Sequence, residues 1–182
     1  MKRVKLTLAM VAVCCLSFGI LAAEGFAPRT GAFEPGYYVI ASAQTGHVLT
    51  VDFEVCTQDG AGIYVWEYEQ YPCQEWAIYE YGEGMYSIVN RMSERALTVD
   101  WNGVPDAGTG LIQWYNLDYP NQLWRIRVVD EETYIIQSIE SELCIAIYPD
   151  PYPGPYGEIV QSEFSEDGSQ FWYLRYIGEP RG

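Results

Sequence analysis

Three short stretches decide the fold: CQEWAI at residues 73–78, NQLWRI at 121–126 and SQFWYL at 169–174. Each stretch contains Gln-x-Trp, and the step from one to the next is 48 residues both times. The glutamines are Gln74, Gln122 and Gln170, and the tryptophans are Trp76, Trp124 and Trp172. Half of the six tryptophans in the chain therefore recur at one fixed interval, which indicates an internal repeat.

The same interval relates much of the remaining sequence. GYYVI at 36–40 aligns without a gap with GMYSI at 84–88, and LTVD at 49–52 recurs at 97–100. The first two repeats share 16 identical residues over 48 aligned positions. The pattern predicts three tandem repeats, which span residues 36–83, 84–131 and 132–177.

Within each repeat the apolar residues alternate with a period of two, as Tyr38 and Ile40 do, and as Leu49 and Val51 do. This period is typical of half-buried strands, and Gly, Pro, Asp and Asn separate the runs. The pattern predicts an all-β fold with four strands in each repeat and twelve in all. In the first repeat we expect strands near 37–42, 47–53, 62–67 and 75–80.

The repeated tryptophans favour a closed arrangement with pseudo-threefold symmetry. Such closure removes the unpaired edges of a sheet and brings one large side chain from each repeat to the centre. Trp76, Trp124 and Trp172 would then meet around one axis as the structural core, where each buries about 200 Å².

The chain begins with a segment typical of a secretory signal peptide. Lys2, Arg3 and Lys5 precede an apolar run, Leu6–Ala23, that ends in small residues. We expect residues 1–27 to be a signal peptide and short leader, with cleavage near Ala23 or Ala27, and the mature protein to be secreted and extracellular. The alternative for this run is an uncleaved membrane anchor.

The chain is strongly acidic. Its formal net charge is −15, and loss of the three basic residues of the leader takes it to −18. Such a surface repels phosphate backbones and anionic lipids, which argues against nucleic acid or, after signal cleavage, a membrane as partner.

Three cysteines remain after removal of the leader: Cys56, Cys73 and Cys144. A disulfide is plausible outside the cell, and we predict that Cys56 pairs with Cys73, because both lie in neighbouring loops of one repeat. Cys144 aligns with apolar strand positions and is predicted to be a buried thiol. The single histidine, His47, and the spacing of the cysteines suggest no metal site and no cofactor.

Gln-x-Trp in all three repeats, Gly-x-Tyr-x-Ile at the starts of the first two, and GLIQWYNLDYPNQLW at 110–124 together resemble the ricin B-type lectin domain, a β-trefoil. The resemblance covers residues 34–178. It implies six strands that close a short barrel and six that pair as hairpins over one end. It also implies that the partner is carbohydrate, including the glycans of glycoproteins, bound in a shallow pocket on each repeat.

The resemblance also implies which residues bind the sugar. In sugar-binding members an Asp follows the Leu of the second strand, an aromatic residue on the third strand stacks on the sugar, and an Asn or Gln precedes the last Trp. Here Thr50, Thr98 and Ala146 occupy the Asp position, so degenerate sites are expected. Asp52 and Asp100, two residues further on, lie on the same strand face and could replace it.

By this comparison the second repeat is the most complete, with Asp100, Trp114, Asn121 and Gln122 at the binding positions. The first repeat is a poorer copy. It offers Asp52, Trp66 and Gln74, with Cys73 in place of the Asn. The third repeat has Ser162 and Ser169 at these positions, and we expect it to be inactive.

Two other classes of function remain open. Small β-trefoil peptidase inhibitors share the skeleton and often lack the Asp, and a peptidase would then be the partner. The proline-rich stretch YPDPYPGPYGE at 148–158, with Tyr152 and Tyr156 as anchors, would be the inhibitory loop. An enzyme is disfavoured, because no catalytic motif accompanies the acidic residues or His47.

Overall fold

The computed structural model describes residues 27–29, 32–148 and 157–179. The predicted leader, apart from Ala27, and residues 149–156 of the predicted inhibitory loop lie outside the described residues. Thirteen strands occur in the described part of the chain. They are β1 (Ala27–Pro28), β2 (Tyr37–Ser42), β3 (Val48–Val51), β4 (Ile63–Trp66), β5 (Trp76–Gly82), β6 (Met85–Asn90), β7 (Ala96–Val99), β8 (Leu111–Trp114), β9 (Leu123–Val128), β10 (Thr133–Ser138), β11 (Cys144–Ile147), β12 (Gly157–Ser162) and β13 (Trp172–Gly178). The all-β prediction is confirmed.

The strand bounds differ from the expected ones where a polar side chain forms a hydrogen bond with the main chain and starts a turn. β3 ends at Val51 rather than at residue 53, because the Asp52 carboxylate accepts a hydrogen bond from the Glu54 N–H at 2.9 Å and starts a turn. Two short 3-10 turns, Pro72–Gln74 and Pro120–Gln122, were not expected. Among the described residues, no helix is long and apolar enough to cross a membrane.

Six antiparallel strands form a closed ring. β2 pairs with β5, β5 with β6, β6 with β9, β9 with β10, β10 with β13, and β13 with β2 again. The ring therefore leaves no open edge, which agrees with the six-stranded barrel that the resemblance implies.

The other long strands form three hairpins, β3–β4, β7–β8 and β11–β12. β12 also pairs with β4, and isolated bridges join Gly62 to Ile112 and Gly110 to Val160. Each hairpin thus contacts the other two. Their mutual contact holds the outward faces of β3–β4 and β7–β8 in fixed positions.

The three repeated tryptophans lie together in the main core cluster. Trp76, Trp124 and Trp172 are all 0% exposed. Each indole N–H donates to a main-chain carbonyl 27 residues earlier, at 3.0 Å to Leu49, 3.2 Å to Leu97 and 3.1 Å to Ile145. Each indole therefore ties a barrel strand to the hairpin of its own repeat.

The predicted disulfide is absent, since Cys56 and Cys73 carry free thiols in the structure. Both pack against the main core cluster, Cys73 as a buried member and Cys56 at its margin. Burial raises the pKa of the Cys73 thiol to about 11, and the neighbouring Cys56 adds to the effect. Cys144 is buried on β11.

We expect iodoacetamide at pH 8 to alkylate Cys56 in the folded protein and to spare Cys73. A pKa of about 11 in place of 9.0 lowers the thiolate fraction of Cys73 by about a hundredfold, and the thiolate is the reactive form. Peptide mapping by mass spectrometry measures the modification. The same reaction in guanidinium chloride is the control, in which both cysteines should react. A linked Cys56–Cys73 peptide from unreduced protein would contradict this assignment.

Candidate functional site

The glutamines of the Gln-x-Trp motifs hold loops rather than facing solvent. Gln122 is 1% exposed. Its amide N–H groups donate to the Tyr115 carbonyl at 2.6 Å and to the Thr98 hydroxyl at 3.1 Å, and its carbonyl accepts from the Leu117 N–H at 2.9 Å. These bonds use both ends of the side chain to fix the segment between β8 and β9.

Gln74 and Gln170 make the matching contacts in the other repeats. The Gln74 amide donates to the Glu67 carbonyl at 2.7 Å and accepts from the Glu69 N–H at 2.8 Å. Gln170 bonds Glu163 and Ser165 in the same way, at 2.7 Å each. The burial of Gln74 and Gln122 argues against the direct contact with sugar hydroxyls that the resemblance implies for them.

The threonines at the family's Asp position are also buried. Thr50 and Thr98 are 2% and 1% exposed, and each hydroxyl donates to a main-chain carbonyl two residues earlier at 2.9 Å. The same hydroxyls accept from the Gln74 and Gln122 amides at 3.3 and 3.1 Å. Threonine at this position therefore anchors the glutamine of its own repeat.

Residues of the second and third repeats form an open cleft of about 360 Å³, here called cleft two. Its lining includes Thr98, Trp101, Trp114, Tyr119, Asn121 and Glu140. The Trp101 and Trp114 rings meet edge to face, with their centroids 4.3 Å apart. Trp101 and Tyr119 are 48% and 57% exposed, so the cleft presents aromatic surface to solvent.

Of the predicted residues of the second repeat, cleft two brings together Trp114, Asn121 and the buried Gln122. Asn121 is 8% exposed and donates to the Val99 carbonyl at 2.9 Å, which fixes its amide at the wall of the cleft. Asp100 is not part of the lining. Its carboxylate accepts from the N–H and the side-chain amide of Asn102, at 3.0 and 2.8 Å, and caps the turn after β7.

The loop that follows β3 supports Trp114 from the first repeat. A Cβ on Gly60 would lie 3.7 Å from the Trp114 ring, and the Gln113 amide donates to the carbonyls of Cys56 and Gln58 at 3.0 and 2.8 Å. Each contact joins neighbouring hairpins. Trp114 is therefore held by two repeats and is pre-organised for a ligand.

A second open cleft of about 400 Å³, cleft one, lies on the outward face of the β3–β4 hairpin. Its lining includes Thr50, Asp52, Phe53, Glu54, Tyr64 and Trp66. Of the residues predicted for the first repeat, Asp52 and Trp66 both line this cleft, whereas Gln74 is buried behind Thr50. Phe53 packs edge to face on both Trp66 and Tyr71, with centroid distances of 6.0 and 5.8 Å.

Both clefts have acidic rims. Asp52 and Glu54 line cleft one, and Glu140, from the turn after β10, lines cleft two. Burial raises the pKa of Tyr64, and the carboxylates of Asp52 and Glu158 raise it further. These rims disfavour an anionic ligand.

The third repeat has small side chains at the same positions. Ala146 is buried and Ser162 replaces the aromatic residue. The Ser169 hydroxyl donates to the Asp167 carboxylate at 2.6 Å, within a turn. The repeat keeps the Gln170 and Trp172 contacts, so its skeleton is retained without an aromatic platform.

Sequence reasoning missed Trp101, Tyr119 and Glu140. Trp101 aligns with Phe53, and Tyr119 with Tyr71. The recurrence of an aromatic residue at both positions was therefore a signal in the sequence that could have identified them. Glu140 reaches cleft two from the following repeat, and no local pattern signals that contact.

Residues 29–114 match the family model described as ricin-type beta-trefoil lectin domain-like. The predicted resemblance to the ricin B-type domain is therefore confirmed over this range, and the match supports carbohydrate binding as a general class of function. A comparison with curated proteins finds no significant match.

Solved structures share the fold. The designed 3-fold symmetric protein ThreeFoil is 26% identical, with a TM-score of 0.73, and the match covers 78% of this chain and 99% of that one. The exo-β-1,3-galactanase 1,3Gal43A from Clostridium thermocellum is 25% identical, with a TM-score of 0.69 and coverages of 81% and 31%. The chain thus spans about a third of the length of that enzyme. A Macrolepiota procera ricin B-like lectin, solved with lactose, is 15% identical, with a TM-score of 0.64 and coverages of 81% and 100%.

Proposed function

We propose that this chain is a secreted carbohydrate-binding module of the ricin B type, a β-trefoil of three repeats over residues 34–178 preceded by a cleaved leader. Neutral glycans bind at cleft two and, more weakly, at cleft one. The third repeat contributes skeleton only. The observation that carries the proposal is the aromatic wall of cleft two, in which Trp101, Trp114 and Tyr119 adjoin the fixed amide of Asn121.

The chemistry of this wall suits a sugar ring. An indole face packs against the apolar C–H face of a sugar, while a side-chain amide bonds its hydroxyl groups. Trp114 takes the stacking role and Asn121 the hydrogen-bonding role. In cleft one, Trp66 and Asp52 take the corresponding roles.

The acidic rims set the charge of the ligand. Asp52, Glu54 and Glu140 would repel a sialic acid or a uronic acid, and the net charge of −15 acts in the same direction. Galactose-containing neutral saccharides are the first probes, because one protein of similar structure is an exo-β-1,3-galactanase.

A glycan array followed by calorimetry tests the proposal. We expect the mature protein to bind neutral glycans and to bind their sialylated forms less tightly. Trp114→Ser installs the residue that the third repeat has at this position, and it should weaken binding at cleft two by about 30-fold, as for an aromatic residue that contributes about 2 kcal/mol.

Tyr79→Ser is the matched control, because Tyr79 is 58% exposed and lies outside the lining of both clefts. It should bind like the parent protein. Glycan binding that keeps the parent affinity after combined replacement of Trp66 and Trp114 would refute the assigned clefts. Absence of binding to any neutral glycan would refute the function.

A further inference from the structure

A third cleft lies at the junction between β5 and the turn after β6, away from the hairpins. Three such junctions share one main-chain hydrogen bond, from the N–H of a turn residue to the carbonyl of the residue next to a repeated glutamine. The pairs are Arg91 to Glu75, Ile139 to Leu123, and Ala43 to Phe171, with N–O distances of 2.8, 2.9 and 2.8 Å. The backbone is equivalent at all three junctions, so their side chains can be compared directly.

Two of the junctions hold apolar pairs, and the first holds an ion pair. The Glu75 side chain is 5% exposed and accepts hydrogen bonds from the Arg91 guanidinium and, at 3.0 Å, from the Tyr68 hydroxyl. A buried ion pair is seldom more stabilising than the apolar pair that could replace it. Since the chain itself uses apolar pairs at the equivalent junctions, stability alone does not account for Glu75 and Arg91.

The ion pair forms one wall of a cleft of about 290 Å³, here called the junction cleft, which Tyr37, Tyr68, Gln70 and Glu179 also line. The Arg91 guanidinium lies over the Tyr37 ring, 4.7 Å from its centroid, and 33% of its side chain remains exposed. The cleft therefore combines two flat rings with amide, guanidinium and carboxylate groups that donate and accept hydrogen bonds.

We infer that the junction cleft is an additional binding site for a single neutral sugar ring, independent of clefts one and two. The volume is close to the lower end of small-ligand sites and suits one ring. Glu75 neutralises Arg91, and Glu179 adds negative charge, so an anionic sugar is disfavoured. Tyr68 supplies an apolar ring, since Arg91 covers the Tyr37 ring, while Gln70 and Arg91 bind hydroxyl groups.

The chain supplies its own control variant. Glu75→Leu combined with Arg91→Ile copies the pair found at the second junction, so the fold should persist with an unfolding midpoint that is unchanged or higher. The test is a nitrogen-15 NMR titration with methyl β-galactoside and methyl β-glucoside. The background is Trp66→Ser/Trp114→Ser, in which clefts one and two are disabled.

We expect saturable shifts of the Tyr68, Gln70 and Arg91 amides and of the Arg91 side-chain N–H, and binding at least tenfold weaker in the Leu/Ile variant. Methyl β-glucuronide should bind several-fold more weakly than the neutral glycosides.

Absence of saturable shifts at these residues, or shifts that persist in the Leu/Ile variant, would overturn the site. Tighter binding of the glucuronide would overturn the ligand class. In the parent protein, shifts confined to Trp101 and Trp114 would support cleft two and refute the junction cleft. Shifts confined to Tyr68, Gln70 and Arg91 would support the junction cleft and refute cleft two.

Discussion

Replacement of Trp124 with alanine is expected to lower the free energy of unfolding by about 4 kcal/mol. Trp124 is 0% exposed within the main core cluster, and its N–H bonds the Leu97 carbonyl at 3.2 Å. The variant loses this packing and also leaves a buried carbonyl without its donor. Because a domain of this size is stable by roughly 5–15 kcal/mol, much of its stability would be lost.

Guanidinium denaturation followed by far-ultraviolet circular dichroism measures this change. Trp101→Ala is the matched control, since Trp101 is 48% exposed, and it should lower the free energy of unfolding by less than about 1 kcal/mol. Trp124→Phe should fall between the two, because it keeps a ring and loses the N–H. Equal destabilisation by the two alanine variants would contradict the assigned core.

Replacement of Gln122 with leucine is expected to lower the free energy of unfolding by about 3 kcal/mol and to weaken glycan binding at cleft two. Leucine is of similar size, but it leaves the Tyr115 carbonyl and the Leu117 N–H without the partner that holds their loop. That loop leads directly to Tyr119 and Asn121 in the cleft wall. Stability and binding should therefore fall together.

Gln170→Leu separates the two effects. Gln170 makes the equivalent bonds to Glu163 and Ser165 in the repeat that lacks an aromatic platform, so its loss should reduce stability and leave binding intact. Denaturation and calorimetry on both variants provide the measurements. Equal loss of binding in both variants would show that the glutamines act only through global stability. Unchanged stability of Gln122→Leu would refute the anchoring role.

The skeleton of the protein was predictable because its signals are periodic. A 48-residue interval and a two-residue apolar alternation are properties of the sequence alone, and the closed ring of strands satisfies both. The role of Gln74 and Gln122 was not open to the same reasoning. Each ends a 3-10 turn, where the two-residue alternation of an extended chain does not apply.

The clefts were only partly predictable, because they depend on where strands end and on which repeats touch. The strand-face argument for Asp100 fails since β7 ends at Val99, and Asp100 instead caps a turn. Asp52 also follows the end of its strand, and its carboxylate accepts the Glu54 N–H in a turn, yet it still lines cleft one. Glu140 comes from a different repeat, and only the tertiary fold brings it to cleft two.

The closed ring of six strands also limits how the chain could be divided. Every barrel strand pairs with one neighbour from its own repeat and one from an adjacent repeat. A fragment of one repeat would therefore keep two strands with unsatisfied edges and a lone indole without its two companions. Such a fragment could complete the ring only by gathering three copies, so a 48-residue peptide is expected to be a trimer or to remain unfolded.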